Sequence, residues 1–182
     1  MLKVSKDIAY GLALSLGLML VAIVIRPKSL AANDGLSYLG NHLDTIGPYS
    51  LAFLLNAIFY LKASYDIRLH PIKKYLSIAL RIIAILMLGI VMIPDSKLYS
   101  LHTTLGTLLF LSQFILSIYI TALRPKPLAL LLFLFEFAAG LTSLYFLVTP
   151  NGLLLQAQIF YQIGFSLVLI YSLNSYNKKP KK

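Results

Sequence analysis

Six apolar stretches, at about residues 8–25, 47–62, 75–93, 101–123, 128–148 and 155–173, fill most of this chain. A bilayer core about 30 Å thick takes a helix of about 20 apolar residues, fewer where flanking groups snorkel, and each stretch meets that need. With 59% hydrophobic and only 12% charged residues, a soluble domain would lack the polar surface to cover itself. The runs are continuous and leucine-rich, whereas a membrane barrel alternates polarity in short segments, so helices are predicted and not strands. The predicted fold class is all-α: a polytopic six-transmembrane-helix bundle, one integral membrane domain over residues 1–182, with an interfacial amphipathic segment after the first span.

The connections between spans alternate between basic and nearly uncharged. Lys3 and Lys6 precede span one; Lys62, Arg68, Lys73 and Lys74 separate spans two and three; Arg124 and Lys126 separate four and five; a basic tail over 177–182 ends the chain. The other side carries only Arg26, Lys28 and Lys97. By the positive-inside rule both termini lie in the cytoplasm. The net charge of +10 therefore reflects orientation in the cytoplasmic membrane, and nucleic acid is not expected as a partner. Lys3 and Lys6 ahead of an apolar run also resemble a signal peptide, but the run is too long, and Arg26 and Lys28 crowd the cleavage site that would be needed. Cysteine is absent, which excludes disulfides, thiolate nucleophiles and zinc-thiolate or iron-sulfur sites.

Gly11 with Ser15, and Ala13 with Gly17, form two overlapping pairs of small residues that would let a neighbouring helix approach span one. In the connection 26–46, Leu36, Leu39, Leu43 and Ile46 recur at helical spacing, the pattern of a helix lying in the interface. Gly47-Pro48 ends it and opens span two, since proline fits a first helical turn. Pro94-Asp95-Ser96-Lys97, Arg124-Pro125-Lys126-Pro127 and Thr149-Pro150-Asn151-Gly152 read as tight turns.

Ionisable groups inside a membrane are expensive, so Arg81 in span three and Glu136 in span five each need a reason. They lie about 9 and 12 Å from the cytoplasmic ends of their spans at 1.5 Å rise per residue, and an ion pair is expected. Asn56, Gln113 and Gln162 lie in other spans and complete a predicted intramembrane polar network. Such a network either specifies helix packing or lines a filled cavity.

A second group is predicted at the outer face. His102 opens span four one turn after Asp95, while Asn41, His42 and Asp44 sit on the interfacial segment. Together they offer proton exchange beside a lipid headgroup. No His-x-x-x-His or His-Glu-x-x-His spacing occurs, and neither a metal nor a cofactor is expected. Phosphate-binding glycine loops and nucleophile elbows are also missing.

Ser37-Tyr38-Leu39-Gly40 ahead of Pro48, Asn56 in span two, Ile93-Pro94 closing span three, His102 opening span four and Gly152-Leu153 before span six form an ordered set over about 37–174. In that order the chain resembles a six-span membrane family of unknown function near the Frag, DRAM and Sfk group. Where that family shows an acidic-basic pair after the glycine and leucine, this chain has Leu154-Leu155-Gln156. The resemblance implies a small cytoplasmic-membrane protein concerned with lipid handling, with membrane lipids as partners. The expected function is binding, positioning or modifying a lipid at the outer leaflet. A small-solute transporter or channel and a structural or accessory subunit are the alternatives.

Overall fold

The computed structural model describes residues 3–67, 73–93, 98–123 and 125–176. Among these the chain is helical throughout, with no strand. Its elements are α1 (Lys3–Ile25), a 3-10 turn (Pro27–Ala31), α2 (Leu36–Gly40), α3 (Ile46–Asp66), α4 (Lys73–Met92), α5 (Tyr99–Leu123), α6 (Pro127–Val148) and α7 (Leu154–Tyr176). Six of the helices are long and apolar enough to cross a membrane. They run alternately up and down. One end of the bundle carries Lys3, Lys6, Lys62, Lys74 and Lys126; the other is called the far end below.

Two helices outrun the apolar segments that predict them. α1 begins at Lys3 and α3 continues to Asp66, because the charged residues at their ends satisfy one another and do not terminate the helices. Lys62 Nζ donates to Asp7 Oδ1 at 2.7 Å and Lys3 Nζ to Asp66 Oδ1 at 3.1 Å. Proline places other boundaries: Pro127 occupies the first turn of α6 after an extended Lys126, and Pro48 lies in the first turn of α3.

α1 packs closely on α3, α3 on α4 and α6 on α7, while α5 touches α6 only sparsely. Small residues set the close approaches. A Cβ at Gly11 would lie 2.9 Å from Phe59 Cβ, and one at Gly164 would lie 2.8 Å from Glu136 Cα. Of the two small-residue pairs predicted on α1, Gly11 and Ser15 are buried, whereas Ala13 and Gly17 are exposed and a Cβ at Gly17 meets nothing within 4 Å. The core is filled by Tyr60, Tyr161, Phe165, Leu80, Met87 and Leu169, each essentially inaccessible. Outside it, Leu131, Leu141, Leu144 and Leu147 of α6 leave an exposed apolar belt, the surface a bilayer would cover.

The predicted amphipathic segment is shorter than its pattern. Only five residues form α2; Leu39 is buried, Leu43 stands 95% exposed beyond the helix, and Ile46 already belongs to α3. What holds the 26–45 connection is a set of bonds to the start of α7. Gln156 Nε2 donates to Leu30 O at 2.7 Å, the Gly152 amide to Asn33 Oδ1 at 2.9 Å, and the Leu36 amide to Gln158 Oε1 at 2.8 Å. Gly35 and Gly152 have φ of 59° and 75°, and a Cβ at Gly152 would lie 2.9 Å from Ala31 O, so both the backbone and the close contact require glycine. The connection forms a cap across the far end.

Candidate functional site

Under this cap lies a cavity of about 550 Å³, walled mainly by α5, α6 and α7 and bordered also by Tyr49 and Phe53 of α3 and Ile90 of α4. α5 and α6 meet near their shared basic-end turn, where Phe114 stacks on Phe133 and Phe137 at 5.7 Å each. From there toward the far end the two helices stop interlocking. Gly106, Thr107 and Phe110 of α5 face Gly140, Leu144 and Leu147 of α6 across the gap. Tyr161 of α7 backs it, stacked on Phe110 at 4.1 Å and donating its hydroxyl to Phe110 O at 2.8 Å. The walls are mostly leucine and phenylalanine, and the exposed Leu111, Leu141 and Leu144 place one side of the opening within the apolar belt. Polar side chains gather at the far-end mouth: Asn33, Asp34, Ser37, His102, Thr103 and Gln158.

His102 is a mouth residue, but its ring is fully engaged. Nδ1 lies 2.7 Å from Ile93 O, which can only accept, so Nδ1 donates; Nε2 of a neutral ring then accepts from the Ser37 hydroxyl at 2.9 Å. His102 thereby ties α5 to the end of α4 and to α2. The other described members of the predicted outer-face group bond elsewhere. His42 Nδ1 turns back to Tyr38 O at 2.7 Å, and both Asp44 oxygens sit 2.8 Å from Arg26. The Asn41 amide closes α2 on Ser37 O at 3.1 Å. Asp95 lies outside the described residues. Among the described residues no three His, Cys, Asp or Glu side chains come together. His42, Asp44 and Asn41 each find a partner within the 26–45 connection itself. His102→Ala removes two bonds that join three elements, and we expect a loss of about 1–3 kcal/mol in stability. A thermal melt unchanged from the parent would contradict that role.

The predicted ion pair between Arg81 and Glu136 does not form. Arg81 Nε reaches Ser64 Oγ at 3.3 Å and its guanidinium lies 4.9 Å from the Tyr65 ring centre, both near the end of α3. Glu136 is wholly buried where α6 crosses Gly164, with neither carboxyl oxygen hydrogen-bonded; the hydroxyls of Ser117 and Tyr161 are its polar neighbours. The reason is adjacency: α4 packs between α3 and α5, whereas α6 packs on α7. The predicted polar network is likewise divided. Gln113 and Gln162 exchange two bonds of 2.8 and 3.0 Å, joining α5 to α7 beside the cavity floor. Asn56 faces Gly11 of α1 and borders a separate void of about 40 Å³.

Sequence reasoning missed the cavity. Its signal was present as Thr103, Gly106 and Thr107 on α5 and Gly140 and Ser143 on α6, small residues at helical spacing that ordinarily mark a helix contact. Here they line a gap. Comparison of the chain with family models, curated proteins and solved structures finds no match.

Proposed function

We propose that this chain is a multi-pass protein of the cytoplasmic membrane, with both termini inside, that binds a membrane lipid in the cavity between α5, α6 and α7. The observation that carries this reading is the cavity itself: about 550 Å³, apolar along its walls, polar at one mouth and open toward the apolar belt. Ligand cavities are of this size, mostly apolar, with a few polar groups fixing orientation. An acyl chain can enter sideways from the bilayer while its head stays at the mouth. The excess of lysine and arginine at the opposite end supports a mouth in the outer half of the membrane. The resemblance to a family near the Frag, DRAM and Sfk group points the same way. A channel reading is weaker, because Phe114 with its stacked partners and the Gln113/Gln162 pair stand between the cavity and the basic end.

The test is titration of the full chain, purified in uncharged detergent, with a diacyl phospholipid followed by intact-complex mass spectrometry. A saturable one-to-one adduct is expected, and unsaturable stepwise addition would contradict it. Sidedness has its own test. Because the chain has no cysteine, Leu43→Cys, at a site 95% exposed at the far end, gives a single label site. An impermeant maleimide is expected to label it in intact cells; labelling only after permeabilisation would reverse the topology.

A further inference from the structure

Resting on the lipid-cavity reading, we infer that the mouth selects a lipid whose head bears an ammonium group, held by the carboxylate of Asp34. Three of the described carboxylates already have cations: Asp7 has Lys62, Asp44 has Arg26 and Asp66 has Lys3. Glu136 is wholly buried. Asp34 is exposed, borders the cavity, and among the described residues makes neither an ion pair nor a hydrogen bond.

Four other polar side chains of the rim are engaged internally. Asn33 Oδ1 takes the Gly152 amide, Gln158 Oε1 takes the Leu36 amide, and His102 and Ser37 bond each other. Among the described residues, Asp34 is thus the carboxylate left bordering the mouth. No lysine or arginine lines the cavity among the described residues. An anionic head would meet the Asp34 carboxylate and no counter-charge among the described residues, whereas a zwitterionic head brings its own cation. Its phosphate can accept from the hydroxyls of Tyr99 and Thr103, which also border the cavity.

The experiment compares phosphatidylethanolamine, phosphatidylglycerol with the same acyl chains, and diacylglycerol on the purified full chain and on Asp34→Asn. The two phospholipids share the phosphate and differ in the ammonium. We expect the ethanolamine lipid to bind about fivefold more tightly than the glycerol lipid, the scale of an exposed ion pair, with the preference shrinking as salt rises. Asp34→Asn should reduce the ratio to within about twofold while leaving diacylglycerol binding unchanged, since an exposed isosteric change leaves the acyl groove intact. Equal or tighter binding of phosphatidylglycerol, or a preference that survives Asp34→Asn, overturns the headgroup assignment while the cavity reading stands. Failure of all three lipids, diacylglycerol included, to form a saturable adduct overturns the cavity reading and the headgroup assignment with it.

Discussion

Gly106→Phe is expected to weaken lipid binding about thirtyfold while leaving the fold intact. Gly106 borders the cavity midway along its α5 wall, and a Cβ built there meets nothing within 4 Å. A phenyl ring at that position projects into the gap that the lipid would fill, displacing acyl contacts without forcing the bundle apart. Excluding a chain segment that buries about 80 Å² of apolar surface, at about 25 cal/mol per Å², weakens binding by about 2 kcal/mol, or about thirtyfold. Stability should hold or rise, because glycine inside a helix costs about 1 kcal/mol relative to a good helix former. Gly17→Phe is the matched control: its Cβ is equally unobstructed, but it lies on the exposed face of α1 and borders neither described cavity. Binding by Gly17→Phe should match the parent. Undiminished binding by Gly106→Phe would place the lipid elsewhere.

Breaking the Asp7/Lys62 pair should have a large effect on stability, and an asymmetric one. The Asp7 side chain is 5% exposed and that of Lys62 is 51% exposed. Lys62→Ala leaves a buried carboxylate with no cation, whereas Asp7→Asn leaves a lysine that rehydrates where it stands. A stranded buried charge costs about 3–5 kcal/mol, and half-exposure of Lys62 brings the expected loss for Lys62→Ala to about 2 kcal/mol. Asp7→Asn should cost below about 1 kcal/mol, and the double variant should resemble it. A double-mutant cycle on thermal or denaturant unfolding in detergent reads both signs. Equal losses for the two single variants would mean that the pair is solvated and carries little.

The sequence disclosed the helices because an apolar run of about 20 residues has few other solutions. It also disclosed several of their ends, at Pro48 and Pro127, since a missing amide is tolerated only in the first turn. What it left hidden is which helix touches which. Arg81 and Glu136 have similar depths, and depth is legible from spacing along a span. Adjacency is not, and their hosts α4 and α6 pack on different neighbours. The cavity was hidden for a related reason. Gly106 and Gly140 are of the small kind that ordinarily marks a helix contact, and only the sparse meeting of α5 with α6 turns their small size into empty space. Asp34 is set apart from the other described aspartates only by the cations that Asp7, Asp44 and Asp66 hold. His102 was visible as a helix-start residue, but its two bonds, to Ile93 and Ser37, come from elements whose meeting no spacing records.

Lipid in a cavity differs from lipid around a bundle in where its chains touch. The protein can be reconstituted with a phospholipid carrying a photoactivatable group in mid-chain, irradiated, digested and mapped by mass spectrometry. Adducts should concentrate on the cavity walls over 103–114 of α5 and 137–147 of α6, and should disappear from them in Gly106→Phe. Adducts spread evenly over the exposed faces of all six long helices, in the same pattern with and without Gly106→Phe, would contradict a bound lipid and leave the cavity without an occupant.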